Sequence, residues 1–200
     1  MHFWFVPTET PTSLCQFTAN LLMPALFIAL MKTPPNNLKD IFIESILQAH
    51  ASSKKYAKLF EQFSELAYTD EIRSALAPSR NTLEEQTERL AQILKLLQLR
   101  PSRILNEMDE TLLTKGKEVC GYQKQQSLHK DVQILLLSKL ISYHKISIGS
   151  SIAEMSRVLG LDQISQLLTQ SVSDDKNAAA YFLQIEQNIL YPAVAKLDKQ

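Results

Sequence analysis

The four histidines of this chain are the residues whose type is most suited to hold a metal, but their spacing argues against the usual arrangement. A di-metal site in a helical bundle takes a Glu-x-x-His pair from each of two helices and one glutamate from each of the others. No histidine here follows a carboxylate at that offset. The residues found there are Leu47 before His50, Gln126 before His129 and Ile141 before His144, and His2 has none. The pattern therefore disfavours conventional di-metal chemistry.

Three other observations bear on chemistry. Asp174 and Asp175 could hold a divalent ion, but adjacent helical residues point about 100° apart, so at most one faces inward. His144 lies in an apolar stripe, where it could be a metal ligand, a proton carrier or a core histidine with one hydrogen bond. His50 is expected at the surface. No phosphate loop, Ser/His/Asp arrangement or Cys-x-x-Cys motif is present, and Cys120 has no nearby base. The sequence indicates no catalytic residue and favours a non-enzymatic protein.

Length and charge limit the class of protein further. A chain of 200 residues fits one domain with a substantial core. Its 21 basic and 21 acidic residues give a formal net charge of +0, which argues against a nucleic-acid partner. The spacing of Cys15 and Cys120 suggests neither a disulfide staple nor a metal knuckle. Reduced thiols in a cytoplasmic protein are therefore expected.

Residues 1–30 differ from the rest of the chain. They contain no lysine or arginine and three of the eight prolines. Their apolar stretch, residues 21–30, is interrupted by Pro24 and is shorter than the roughly 20 residues that a membrane-spanning helix needs. A secretory signal would need a basic start. We interpret residues 1–30 as an extension upstream of a true start at Met31, with one domain at 31–200; a membrane-associated or cleaved segment is the alternative.

Apolar periodicity predicts the elements that must position these side chains: four long helices and a short connector. The predicted ranges are 38–66, 69–99, 104–119 for the connector, 128–159, and a last helix that Asp162 caps and Pro192 closes or bends. Pro78 predicts a kink or break in the second helix, and Gly160 is suited to the end of the third. The short turn at 159–161 makes the last two long helices antiparallel neighbours. The fold class is all-α, an antiparallel four-helix bundle with its connector between helices two and three.

Short motifs, in a consistent order, carry a resemblance to a known family. They are Leu38-Lys-Asp-Ile-Phe-Ile43, Gln86-Thr-Glu-Arg-Leu90, Leu112-Leu-Thr-Lys-Gly-Lys-Glu-Val119, Met155 to Gly160, and Leu167-Leu168 followed by Asp174-Asp175-Lys176. In order and spacing they resemble the bacterial YciE/YciF ferritin-like proteins. The resemblance implies a ferritin-like four-helix bundle, a stress-response setting in the cytoplasm, and a homodimer.

The presumed metal positions of that family fall on other residue types in this chain. The Ala-Glu pair of helix one reads Ser52-Ser53, and the His-x-Glu-Glu of helix two falls on Ser79-Arg80-Asn81-Thr82. The Glu-His-Tyr-Glu of helix three becomes Ser142-Tyr143-His144-Lys145, and only the acidic pair of helix four remains, as Asp174-Asp175. The resemblance therefore implies a vacated metal site, lined by Ser53, Asn81, Thr82, Ser142 and Tyr143.

Such a replacement has a physical rationale. Carboxylates that face one another inside a bundle repel and are desolvated unless a metal neutralises them, and hydroxyl and amide side chains remove that penalty. Lys145, at a glutamate position, would oppose a cation or extend to the surface, and the Tyr143 hydroxyl could bond Ser53 or Asn81. We predict a structural or interaction role without a cofactor. The alternatives are an iron or manganese protein with a non-standard site around Asp174, Asp175 and His144, and a module that binds a partner through an exposed helix face.

Overall fold

The computed structural model of the protein describes residues 37–121 and 126–199. Their helices are α1 (Leu38–Leu66), α2 (Asp70–Leu96), α3 (Glu107–Gly121), α4 (Leu128–Val158), α5 (Asp162–Ile185), a π-helical turn (Glu186–Leu190) and α6 (Tyr191–Leu197). No strand occurs in the described ranges. The predicted all-α class is therefore confirmed. The interpretation of residues 1–30 and the start at Met31 concern residues outside this description.

The long helices form two antiparallel hairpins. α1 packs along α2, and α4 packs along α5; α1 also lies against α4, and α2 against α5. Asp131, near the start of α4, accepts hydrogen bonds from the backbone N–H groups of Tyr68 and Thr69, just after α1 ends. α1 and α4 are therefore antiparallel, and the segment from α2 to α4, which contains α3, crosses the length of the bundle. This is the predicted four-helix bundle with a connector.

The apolar core consists of two clusters along the bundle. One is built around Phe60, Phe63 and Phe182, and the other around Phe42, Ile93 and Ile152. The residues come from the inward stripes of amphipathic helices, so burial of these stripes is the main stabilising contribution to the fold. Polar side chains from all four long helices lie between the two clusters, and they form the site described below.

Two helices end in the same hydrogen-bonded motif with different residues. After α4, Gly160 adopts φ +71°; its N–H bonds the Arg157 carbonyl, and the Leu161 N–H bonds the Ser156 carbonyl. After α2, Gln98 adopts φ 56° and makes the equivalent bonds with Leu99. Both ends are Schellman motifs, in which the left-handed position favours glycine. The prediction for Gly160 is confirmed, whereas the motif at Gln98 lacks the glycine that would have revealed it.

Gln98→Gly is expected to raise the free energy of unfolding by about 1 kcal/mol, because glycine adopts the left-handed conformation without a Cβ penalty. Urea denaturation of the variant and the parent chain measures the difference. Gly160→Gln is the matched control and should lower stability by a similar amount. A loss of stability in Gln98→Gly would mean that the Gln98 side chain contributes more than its backbone conformation costs.

The prolines interrupt the helices less than predicted. α2 continues through Pro78, so of the two predicted outcomes, a kink or a break, the break is wrong. Because proline has no N–H, the Ser74 carbonyl loses its helical hydrogen bond. Ser74 and Pro78 both lie on the exposed face of α2, where water can replace that bond. At Pro192 the chain also stays helical, because Pro192 falls in the first turn of α6, which tolerates a residue without N–H. The spacing of the helical hydrogen bonds changes in the preceding π-helical turn, where the Tyr191 N–H donates to the Glu186 carbonyl, five residues earlier.

The start of α5 also differs from the expectation. Asp162 is the first residue of α5 and not its cap; Leu161 occupies the cap position without a side-chain hydrogen bond. Leu161 already donates its N–H to the Schellman motif of α4, so the chain passes from one helix end directly into the next helix. Asp162 still lies in the first turn, where a carboxylate interacts favourably with the helix dipole.

His50 is buried and not at the surface. Its side chain is 4% exposed within α1, and burial, assisted by the Lys54 ammonium, lowers its pKa below the ordinary value. His50 Nδ1 has no hydrogen-bond partner in the described part of the chain. The residue is therefore a neutral core histidine. Within the same described residues, no helix combines the length and the apolar composition needed to cross a bilayer.

Candidate functional site: a buried polar centre

Lys145 lies at the middle of the bundle, bonded to groups from two other helices. Its Nζ donates to Asp175 Oδ1 of α5 at 2.8 Å and to Gln86 Oε1 of α2. The Gln86 amide in turn donates to Asp175 Oδ1 at 3.0 Å and to the Ser171 carbonyl at 3.1 Å. Burial lowers the pKa of Lys145, and the neighbouring Asp175 carboxylate opposes that effect. The Lys145 ammonium, the Asp175 carboxylate and the Gln86 amide therefore satisfy one another's hydrogen-bonding groups at the centre of the bundle.

A second ion pair lies beside the first. Arg89 of α2 bonds Asp174 of α5, with Nη2 and Oδ2 2.5 Å apart, and Gln170 donates to the other oxygen of the same carboxylate at 3.0 Å. Asp175 is 7% exposed, so it is the inward member of the adjacent pair. Each aspartate of this adjacent pair thus has its own cation: Lys145 for Asp175 and Arg89 for Asp174.

Asp109, on α3, is the hub of a separate network. Its Oδ1 accepts from the Tyr56 hydroxyl at 2.6 Å and lies 3.0 Å from His144 Nε2. Its Oδ2 accepts from the Asn106 side-chain NH₂ at 2.8 Å, while the Asn106 side-chain oxygen, Oδ1, accepts from the Asp109 backbone N–H at 2.7 Å. Burial and the hydrogen bond to Asp109 raise the pKa of Tyr56 well above its ordinary value. The network therefore attaches the connector helix to α1 and α4.

Hydroxyl groups from α1, α2 and α4 complete the centre. The Ser53 and Thr87 hydroxyls are 2.7 Å apart, and Thr87 donates to the Leu83 carbonyl at 2.8 Å. Ser142 donates to the Ser138 carbonyl at 3.0 Å. These short side chains satisfy their hydrogen bonds locally, so they fill the interior without placing a charge there.

Two cavities adjoin these networks. The larger, of about 60 Å³, has mixed walls, with polar side chains from α1, α2, α3, α4 and α5 and several aliphatic groups; its polar lining comprises Ser52, Ser53, Gln86, Asn106, Asp109, His144, Lys145, Ser171 and Asp175. A smaller one, of about 10 Å³, is lined in part by Thr82, Ser142, Lys145 and Asp175. The interior of the bundle is therefore incompletely filled around Lys145.

The structure brings together some of the predicted residues and excludes others. Ser53, Thr82, Ser142, His144 and Asp175 line one or other cavity, while Asp174 bonds Arg89. Asn81 is exposed, and Tyr143 is 51% exposed, so neither lines the interior, and a Tyr143 bond to Ser53 or Asn81 does not form. Both lie on the outer faces of their helices, because inward positions recur every three to four residues and these two fall between them.

Several residues of the centre were not expected from the sequence. Gln86 and Arg89 belong to the Gln-x-x-Arg motif, whose spacing places both on one side of α2. Asp109 precedes Leu112, Leu113 and Gly116 in the buried stripe of α3. A carboxylate inside an otherwise apolar stripe needs a buried partner, which is the signal that could have identified Asp109.

Four long helices joined by one crossover, with polar side chains from each meeting at the centre, define a four-helix bundle protein with a central polar site. Residues 37–193 match the family described as a domain of unknown function, DUF892, and the chain belongs to that family. The sequence resemblance to YciE/YciF-like proteins is thereby confirmed.

Solved structures share this fold. The E. coli stress protein YciF is similar with a TM-score of 0.71 and 15% sequence identity, over 83% of this chain and 100% of that one. YcfI from Rhodopseudomonas palustris, described as a proposed structural protein, is similar with a TM-score of 0.70 and 18% identity, over 76% of this chain and 96% of that one. No curated protein matches the chain. At these identities the similarity establishes the architecture.

Proposed function

We propose that this chain is a stress-associated, cytoplasmic, ferritin-like bundle protein with a structural or interaction role, in which the Lys145 ammonium occupies the place of a di-metal centre. The observation that carries the proposal is the bond between Lys145 Nζ and the buried Asp175 carboxylate at 2.8 Å. An internal cation neutralises the carboxylate without any bound ion. The fold shared with a protein named as a stress protein and another named as structural supports the proposed setting.

The side chains present do not fit a di-metal centre. Such a centre draws carboxylates and imidazoles from facing helices, but the corresponding positions carry hydroxyl groups at Ser53 and Ser142. Asp175 is bonded to Lys145 and His144 to Asp109, so a cation would have to break both of these bonds and lie beside an ammonium. Among residues 37–121 and 126–199, no three His, Cys, Asp or Glu side chains are grouped as metal ligands.

The stability of the full-length protein is therefore expected not to depend on metal. A resident metal would stabilise the folded state by its binding free energy, about 2.7 kcal/mol at a free concentration 100 times its Kd. Thermal unfolding before and after EDTA treatment, with metal content measured in parallel, checks this. The transition should remain unchanged. A fall of several degrees that Fe(II) or Mn(II) reverses would instead support the alternative site around Asp174, Asp175 and His144.

A structural role also needs an interaction surface, and we place it on α4. Leu136, Leu140 and Tyr143 are 58%, 53% and 51% exposed, and their spacing of four and three residues puts them on one side of the helix. Large apolar side chains that are grouped on a surface mark interaction sites. The homodimer that the family resemblance implies would bury this stripe against a second copy.

The Leu136→Lys/Leu140→Lys variant is expected to convert such a dimer into a monomer, because opposed lysines would repel across the interface. Sedimentation equilibrium of the variant and the parent protein measures the mass. Gln92→Lys, exposed on α2 and therefore away from the α4 stripe, is the control for a single added charge and should leave the dimer intact. A parent protein that sediments as a monomer at high concentration would contradict the proposed interface.

A further inference from the structure

The C-terminal helix α6 lies along the first turns of α4. The π-helical turn before it is joined to α4 through Glu186, whose buried carboxylate accepts from Lys139 and from the Tyr191 hydroxyl. Just beyond the other end of α6, Asp198 Oδ1 lies 3.2 Å from His129 Nε2. Because the start of α6 is held near Lys139 and its end near His129, α6 runs antiparallel to the beginning of α4, against which it packs.

Few apolar contacts hold α6 in place. None of its residues from Tyr191 to Leu197 is buried, and of its side chains Val194 packs, partly buried, against the core cluster around Phe60. The His129 and Asp198 side chains are 60% and 59% exposed, and a pair at that exposure contributes little to stability. α6 is therefore a segment of low local stability, of the kind that opens while the rest of the chain stays folded.

Val132 of α4 lies between the two attachment points of α6 in the sequence. It is partly buried against the same core cluster as Val194. It stands four residues before Leu136, so it continues on the same side of α4 the line of apolar side chains formed by Leu136, Leu140 and Tyr143. α6 therefore lies where the exposed stripe of α4 would otherwise continue.

The outer face of α4 is suited to contact with a copy of itself. From Val132 to Ala153, a range that the structure describes in full, the exposed side chains carry no charge. They are Gln133, Leu136, Leu140, Tyr143, Ser147, Ser150 and Ser151. Two copies of such a face can meet without bringing like charges together, and depletion of charged residues is typical of the centre of an interface. A second copy of this chain is therefore the partner that the face fits.

We propose that α6 is a strap that limits self-association: its release uncovers Val132 and lengthens the apolar stripe of α4 that a second copy of the chain covers. The inference rests on the proposed function, which places the dimer interface at Leu136, Leu140 and Tyr143. Dimerisation then draws on the fraction of molecules whose strap is released, so the apparent affinity rises with that fraction. By linkage, dimerisation in turn favours the release of α6.

Tyr191→Phe/Asp198→Ala in the full-length chain removes both polar attachments that α6 and the residue after it provide. The amide hydrogens of α6 should exchange about tenfold faster in this variant, and the dimer dissociation constant from sedimentation equilibrium should fall by about the same factor. Lys196→Ala, an exposed change on α6, is the matched control and should alter neither quantity. In the parent protein, α6 should exchange faster at concentrations where the dimer prevails than in the dilute monomer.

An unchanged or weaker dimer in Tyr191→Phe/Asp198→Ala overturns the strap, and so does exchange of α6 in the parent that slows or stays constant as the dimer forms. Leu136→Lys/Leu140→Lys distinguishes this failure from a failure of the proposed interface. If these lysines abolish a dimer that loosening α6 does not strengthen, the interface stands and the strap is wrong. If the dimer persists with the lysines, or if neither the parent nor the loosened variant dimerises, the interface is wrong and the strap with it.

Discussion

Lys145→Met is expected to lower the free energy of unfolding by about 3–5 kcal/mol, the usual cost of removing one partner of a buried ion pair. The variant leaves the Asp175 carboxylate, 10% exposed in its side chain, with only the Gln86 amide as a donor at the centre. Loss of the lysine thus leaves an uncompensated charge between the two apolar clusters. Urea denaturation followed by circular dichroism measures the effect.

A second substitution should reverse most of that loss. In Lys145→Met/Asp175→Leu both charges are gone, and buried ion pairs replaced by apolar residues of similar volume are often neutral or stabilising. Lys176→Met, which removes an exposed lysine next to Asp175 in sequence, is the matched control and should change stability by less than about 0.5 kcal/mol. If Lys145→Met costs no more than this control, Lys145 does not neutralise the centre.

Asp131→Ala is expected to produce the other large effect, a loss of about 3–4 kcal/mol. The Asp131 side chain is fully buried, and it accepts from the Tyr68 and Thr69 N–H groups at 2.8 Å and from the Thr69 hydroxyl at 2.7 Å. Alanine removes the acceptor of all three of these partly buried bonds, and it removes a carboxylate from the N-terminal end of α2, where the helix dipole favours it. Thermal and urea unfolding measure the change.

Two comparisons test whether these bonds are the cause. Asp131→Asn keeps one acceptor oxygen but turns an amide group toward the donors, so its loss should be nearly as large as that of alanine. Asp162→Ala removes a carboxylate from the first turn of α5 that makes no cap bond, and it should cost less than about 1 kcal/mol. A similar loss in Asp131→Ala and Asp162→Ala would show that the helix dipole alone is involved.

These two predictions concern the two ways in which this bundle manages buried charge. At the centre a lysine satisfies an aspartate, and at the end of the bundle backbone N–H groups satisfy another. Lys145 lies at the centre, bonded to Asp175, at a position where the family resemblance implied a glutamate.

The sequence by itself determined the five helices α1 to α5 and most of their ends. Apolar residues at helical spacing predict α1 through α5 because burial of one face is the dominant stabilisation of each helix, and Gly160 indicates the end of α4 because its left-handed conformation favours glycine. The end at Gln98 was hidden, because the residue in the left-handed conformation there is a glutamine and not a glycine.

Only the tertiary structure decided which polar residues meet. Helical periodicity places Asp175 and Asp174 on different faces, but it does not say which one is inward, nor that Lys145 and Arg89 are their partners. It also did not place Asp109 beside His144, nor Asn81 and Tyr143 outside the bundle. The physical reason is that periodicity acts within one helix, whereas partners on different helices are set by the rotation and register that packing of the side chains selects.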